Sequence, residues 1–263
     1  MKNKKLNELA ICGMEAVKAL EKAHGDIITR FYFNQERASQ FGGLCRRLAA
    51  AKKPYNCVKD DKELEKLCGS VHHQGVVAMI PQPKIPQLDS SVIDSWIKKK
   101  EHIILLDRVG NANNLGAIIR SAVFFGIDNI VIPLDEAQSS VSTSSYRVAQ
   151  GGMEYVRLYT VESCTKFMQD LKNKMVRIGT EIRAKKTLKD LPLIANNKPV
   201  LLVLGNEENG ISKDVIENCD ELIRIEGKEH LYYGNTIRTA VESLNVAQAA
   251  TLFFYELNKL NLN

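Results

Sequence analysis

Residues 201–212 read LLVLGNEENGIS, an apolar run that breaks at a glycine into an amide and two carboxylates. With Val200 before it, the apolar run Leu201 to Leu204 is long enough for one buried strand and too short for a buried helix. Gly205 ends the run. A glycine there lets backbone approach a ligand closely, because no Cβ intervenes. Asn206, Glu207 and Glu208 would then stand outside the carboxyl end of a strand, where ligands bind in open α/β sheets. The same residues equally suit an ordinary strand-to-helix loop in which Ser212 caps the next helix.

Working outward, the C-terminal part alternates strands with helices. Strands are expected at His102–Asp107, Ile130–Pro133, Val156–Tyr159, Val176–Glu181, Val200–Leu204 and Leu222–Ile225. Helices are expected at Leu115–Phe125, closed by Gly126, and at Ser163–Lys174, Lys213–Asn218 and Val241–Asn258. Gln138 to Ser145, small and hydroxylic, reads as a surface loop. This alternation predicts an α/β fold with a mostly parallel sheet. Glycines fall in three groups after strands: Gly110 and Gly116, Gly205 and Gly210, Gly227 and Gly234. Three loops at strand ends of one sheet can converge on one ligand. It is not a dinucleotide of the usual kind, since no G-x-G-x-x-G follows a strand and no P-loop is present.

The N-terminal part reads as a helix over Asn7–His24, a strand over Ile27–Phe33, a basic helix over Gln40–Lys53, a strand over Tyr55–Lys59, a helix over Asp61–Cys68 and a strand over Val76–Ile80. Pro81, Pro83 and Pro86 then mark a boundary, and Val92–Lys100 forms a lead-in helix in which Trp96 packs. The expected organisation is therefore a small αβ domain over residues 1–84, a linker over 85–100 and a larger α/β domain over 101–263. Of the net charge of +5, all the excess is in the first domain, with 15 Lys and Arg against 9 Asp and Glu, whereas the remainder has 21 against 22. A basic module beside a neutral one suits a polyanion-binding part joined to a part with another task, though a solvated surface would look the same. Arg46, Arg47, Lys52 and Lys53, crowded on one helix and its end, are the candidate contacts to such a polyanion, RNA if the resemblance given below holds. Six scattered cysteines without a CxxC pair suit free thiols in a reducing cytoplasm. No apolar run is long enough to span a bilayer, so no membrane association is expected. His72 and His73 lack a nucleophile or acid at useful spacing and suit a turn or an RNA contact; Glu207 and Glu208 lack a third ligand, so no metal is expected.

Three motifs in order carry a resemblance. Asn114-Leu115-Gly116 with Arg120-Ser121-Ala122 and Phe125-Gly126, then Gly205-Asn206-Glu207 with Gly210-Ile211-Ser212, then Glu242-Ser243-Leu244-Asn245-Val246-Ala247 resemble the motifs of the SpoU (TrmH) family of SPOUT RNA methyltransferases. Gly13-Met14-Glu15-Ala16-Val17 and His73-Gln74-Gly75-Val76-Val77-Ala78 are similar to the ribosomal-protein-like substrate-binding domain that precedes many of these enzymes. The resemblance implies a SPOUT domain with a C-terminal trefoil knot, a homodimer, bound S-adenosylmethionine (SAM), and methyl transfer to a ribose 2′-hydroxyl of RNA, ribosomal RNA ahead of transfer RNA, in the cytoplasm. Carried over by position, it implies that Gly205, Ile225 and Leu244 touch the cofactor and that Asn114, Arg120, Glu207, Ser243 and Asn245 form the polar site.

These residue types suit the chemistry. An activated methyl donor needs mainly alignment with the attacking oxygen, and a hydroxyl must lose its proton as it attacks. Arg120, always charged, suits a phosphate or developing-alkoxide clamp better than a base; a helix-surface arginine is the alternative. Asn245 also suits a helix N-cap. Two departures stand out. Ala112 replaces the family's usual proline, and Lys228 to Arg238, KEHLYYGNTIR, lengthens the loop before the third motif. Tyr232 and Tyr233 there suit stacking on a base or plain packing. The runner-up function is a non-catalytic RNA-binding or ribosome-assembly factor that keeps the fold.

Overall fold

The computed structural model describes residues 7–228, 230–232, 235–237, 241 and 243–260, with backbone only for 230–232 and 235–237. The chain forms two compact units, Met1–Lys84 with Ser140–Val156, and Ile85–Ser139 with Arg157–Asn263. The segment Ser140–Val156, which the sequence reading leaves in the larger domain, thus groups with the first unit.

The first unit runs β1 (Glu8–Cys12), α1 (Met14–His24), β2 (Arg30–Asn34), α2 (Gly42–Ala50), β3 (Tyr55–Val58), α3 (Asp61–Cys68) and β4 (Val76–Pro81). Its sheet has the order β1-β4-β2-β3, with β4 antiparallel to both neighbours and β2 parallel to β3. The helix expected from Asn7 is corrected here. Leu9 to Cys12 form a strand, and every residue of β1 is buried. Four consecutive apolar residues suit a strand buried on both faces better than a helical stripe. Gly13, at φ 95°, makes the turn that separates strand from helix. From Met14 the helical stripe holds, with Ala16, Val17 and Leu20 buried and Gln74 Oε1 accepting the Met14 N–H at 2.7 Å. Buried His73 organises the neighbouring turn, its Nδ1 accepting the Gly75 N–H at 3.0 Å and its carbonyl accepting from Gly13 and Val76. The stretch expected to be a surface loop is also corrected. Gln138, Ser139 and Ser145 are buried, and Ser142 and Ser145 cap the helix Thr143–Ala149 reciprocally. Hydroxyls turned onto backbone donors lose little by leaving water.

The second unit runs α4 (Ser90–Lys98), β5 (Ile103–Asp107), α5 (Ala112–Phe124) and β6 (Asn129–Pro133). After Thr143–Ala149 (α6) it resumes with β7 (Arg157–Val161), α7 (Cys164–Asp170), β8 (Val176–Thr180), β9 (Lys186–Thr187), α8 (Leu191–Ala195) and β10 (Val200–Gly205). It ends with α9 (Lys213–Ile216), β11 (Glu221–Arg224), β12 (His230–Tyr232), β13 (Asn235–Ile237) and α10 (Val246–Leu260). The seven-stranded sheet has the order β7-β6-β5-β10-β8-β11-β9, with every neighbouring pair parallel. At its centre β5 and β10 are buried along their whole length. Ile103, Leu105, Leu201 and Val203 join Trp96, Phe167, Met168 and Val215 in one core, while period two turns Ile104, Leu106, Leu202 and Leu204 to the other face. The loop after β11 contains the antiparallel pair β12–β13. The side chain of Tyr232, with Tyr233, Gly234, Arg238 and Glu242, lies outside the described residues. The last helix starts at Val246 rather than Val241, because Asn245 caps it by accepting the Ala247 N–H at 2.9 Å.

One ion pair braces β8. The Arg177 guanidinium, with a side chain 6% exposed, meets Asp220 at 2.5 and 3.0 Å and donates to the Met168 carbonyl at 3.2 Å. Hydrogen bonds from Arg177 hold the Asp220 carboxyl below its ordinary range. A depressed folded value means that the pair stabilises above the unfolded value of about 4 and that this is lost as pH falls through the folded value. Asp220→Ala, which strands a buried guanidinium, is expected to cost about 2–3 kcal/mol at neutral pH, less than for a fully buried pair because Asp220 is partly exposed. It should also flatten the acid limb of a denaturation series; equal stability at pH 7 would show the pair to be idle.

Candidate active site

The carboxyl ends of β5 and β10 lie side by side, with Gly205 paired to Asp107. Asp107 is the first residue here that the sequence reading missed. It is 3% exposed, and its Oδ2 accepts the Ser212 N–H at 2.6 Å while Oδ1 accepts from Arg108 Nε at 3.2 Å. It therefore ties the first strand end to the loop after the second. The signal was an acid ending a run of four aliphatic residues. Arg108 itself adopts φ 60°, and Gln138 returns to hold the next residue, accepting from Val109 N at 3.0 Å and donating to its carbonyl at 3.1 Å.

The loop after β10 closes on itself. Asn206 and Gly210 exchange two backbone hydrogen bonds of 2.9 Å. Asn206 Oδ1 accepts from Glu208 and Asn209, and its Nδ2 donates to the Arg108 carbonyl. A Cβ at Gly205 would stand 2.3 Å from both Gly210 C and Ile211 N. The close approach expected of a ligand is thus made by the loop's own backbone.

Three expected site residues meet above these ends. Asn114, in the first turns of α5, donates from Nδ2 to Glu207 Oε1 at 2.5 Å, and Asn245 Nδ2 donates to Asn114 Oδ1 at 3.1 Å. The direction of this chain is forced. A carboxylate only accepts, so Asn114 turns its amide nitrogen to Glu207 and its oxygen to Asn245. Asn245 in turn gives its oxygen to the Ala247 N–H at the start of α10. Asn245 thus serves as both cap and site residue. Glu207 keeps its second oxygen without a hydrogen bond among the described residues.

The remaining expected residues sit differently. Ser243 and Leu244 immediately precede Asn245 and are exposed, and Ile225 is half-buried just past β11. Arg120 is exposed on α5, one turn before Phe124, and has no hydrogen bond or ion pair among the described residues. It does not join the Asn114–Glu207–Asn245 cluster. Of the candidate RNA contacts, Arg46 and Lys52 are exposed, Arg47 is paired with Glu21 at 2.7 Å and Lys53 donates to the Asp26 carbonyl. No group of three or more possible metal ligands occurs among the described residues.

Residues 101–255 match the SpoU rRNA Methylase family, and residues 10–86 match the RNA 2′-O ribose methyltransferase substrate-binding family. The chain belongs to the SpoU family. It is 31% identical over 158 residues to an uncharacterized tRNA/rRNA methyltransferase of Haemophilus influenzae, covering 60% of this chain and only 44% of that relative's length. It is 29% identical to the 23S rRNA (guanosine-2′-O-)-methyltransferase RlmB of Coxiella burnetii over 95% of each chain. Its fold is that of the SpoU methyltransferase AviRb from Streptomyces viridochromogenes in complex with AdoMet, at a TM-score of 0.70 and 20% identity over 99% of this chain and 92% of that one. The three polar residues that meet at the strand ends come one from each of the three stretches that resemble the motifs of the SpoU family.

Proposed function

We propose that this SpoU-family protein transfers a methyl group from SAM to a ribose 2′-hydroxyl of RNA, ribosomal rather than transfer RNA. The observation that carries this reading is the convergence of Asn114 from the start of α5, Glu207 from the loop after β10 and Asn245 from the cap of α10. Support for the ribosomal substrate comes from the likeness to RlmB over nearly the whole chain.

The residues present suit SAM. Leu244, 46% exposed next to Asn245, and half-buried Ile225 offer apolar surface for an adenine, and the main chain at Gly205 and along 225–228 would serve its polar groups. When bound, SAM supplies a methyl on a sulfonium, already activated for displacement. The protein's own part is placement and proton handling. The free oxygen of Glu207 accepts a hydrogen bond from the 2′-hydroxyl and fixes its direction; Asn114 holds that carboxylate in place. As the oxygen attacks and its proton becomes acidic, the Glu207 carboxylate receives it. Arg120 and the Arg108 guanidinium are cations for the flanking phosphates. Arg46 and Lys52, on the first unit, grip RNA; Arg47 and Lys53 do so by exchanging their internal partners. Phe124 (81% exposed), Leu252 and Tyr255 form an apolar face on α5 and α10 that suits a homodimer, and Arg120 stands at its edge. A knotted C-terminal part and a cytoplasmic location complete the reading. No described helix is long and apolar enough to cross a membrane.

Calorimetric titration with SAM and with S-adenosylhomocysteine tests the enzymatic reading. Saturable binding with one site per chain is expected. No heat at about 1 mM ligand, a free energy of only about 4 kcal/mol, would favour the assembly-factor reading instead.

A further inference from the structure

The loop that carries Glu207 is gripped at both ends by two consecutive residues at the exit of β5. At its start, Asn206 Nδ2 donates to the Arg108 carbonyl at 2.9 Å. At its far end, the Ser212 N–H donates to Asp107 Oδ2 at 2.6 Å. Between these two points the paired backbone bonds of Asn206 and Gly210 close the turn, so the main chain at Glu207 is fixed relative to the end of β5. Asn114 is fixed relative to the same point, because α5 begins at Ala112, a short connection after Arg108. Both partners of the Asn114–Glu207 hydrogen bond are therefore set from one strand end.

Stability alone does not account for Asp107. It follows four aliphatic residues in a strand buried along its length and is itself 3% exposed, where taking a carboxylate out of water is costly. Its hydrogen bonds among the described residues come from the Ser212 amide and from Arg108 Nε at 3.2 Å. Arg108 holds φ 60°, a conformation that a bulky side chain adopts only where its surroundings impose it. A buried charge beside a strained backbone marks a point where placement outranks stability.

We infer that Asp107 is a positioning residue for methyl transfer: through the Ser212 N–H it holds the loop that sets Glu207 against Asn114, and with them the attacking oxygen. This rests on the reading of that cluster as the methyl-transfer site. A misplacement of about 1 Å at a reacting centre can cost about 100-fold in rate, so the effect falls on kcat. Gly205 pairs with β5 through main chain, whatever side chain stands at 107, so the backbone offered to SAM keeps its place.

Asp107→Ala, Asp107→Asn and Ser212→Pro are assayed in the intact chain with SAM and with ribosomal RNA from cells lacking this chain, each substrate varied in turn. Asp107→Ala is expected to lower kcat about tenfold or more, with both KM values within about threefold of the parent. Asp107→Asn keeps the shape and an oxygen for the Ser212 N–H, so it should recover most of the lost turnover. Ser212→Pro removes the same hydrogen bond from the donor side. Ser212 sits at φ −64°, which suits a proline ring, and its side chain makes no cap hydrogen bond that the change would cost. Because the two substitutions break one bond, Asp107→Ala/Ser212→Pro should fall little below either single variant. Thermal melting confirms that each variant is folded at the assay temperature. Parental kcat in Asp107→Ala or in Ser212→Pro, losses that multiply in the double variant, or a loss confined to KM would overturn the inference while leaving the site assignment intact. No methyl transfer by the parent itself would remove the site assignment and this inference with it.

Discussion

Asn114→Ala is expected to lower methyl transfer about 100-fold or more, the loss seen when one positioned polar group is removed from a reacting centre. Asn114 is the middle of a one-way chain from the α10 cap to Glu207. Removing it frees the Glu207 carboxylate to swing and leaves the Asn245 amide nitrogen without its acceptor. Both losses concern the attacking oxygen rather than the methyl donor. The fall should therefore appear in kcat, with SAM affinity within a few-fold of the parent. Asn114→Asp separates charge from placement. It puts a second carboxylate against Glu207, so it should be no better than alanine. Parent-like turnover in Asn114→Ala at saturating RNA would remove this residue from the mechanism.

Gly205→Ala is expected to cost about 3 kcal/mol or more, beyond the ordinary range for overpacking. The added Cβ meets the backbone of Gly210 and Ile211 at 2.3 Å, and no side-chain rotation relieves a clash with main chain. The paired hydrogen bonds between Asn206 and Gly210 would have to open, and with them the turn that Asn206 holds. The denaturation midpoint should fall with little change in slope. Gly210→Ala is the matched control. Its Cβ would enter open space, so only the strain of φ 66° remains, about 1 kcal/mol, and a smaller loss is expected there. If the two variants lose the same stability, strain rather than the loop contact decides both.

The parallel sheet was legible because its strands are continuous apolar runs closed by polar turns, as Leu201–Gly205 and Ile103–Asp107 illustrate. The first strand was not, since ELAIC runs without a break in hydrophobicity into the stripe of α1, and only the positive φ of Gly13 separates them. At the site, residue types and order pointed to Asn114, Glu207 and Asn245, and the structure brings these together. Asp107 stayed hidden because its partner, the Ser212 amide, is 105 residues away in sequence and no local pattern encodes that contact. The close packing at Gly205 was hidden for the same reason, since the backbone that crowds it belongs to the loop's own return. Arg120 illustrates a further limit. A helix position can be read from sequence, but its partners in a loop from another part of the chain cannot, and among the described residues Arg120 makes no hydrogen bond to the polar cluster.

Methyl transfer to a ribose hydroxyl is assigned to the Asn114–Glu207–Asn245 cluster. It is tested most directly by incubating the protein with SAM labelled in its methyl group and ribosomal RNA from cells lacking this chain, then digesting the RNA to nucleosides. The expected result is label in a single 2′-O-methylnucleoside, lost with Asn114→Ala. Label on a base, or no transfer by a protein that binds both SAM and RNA, would contradict the account.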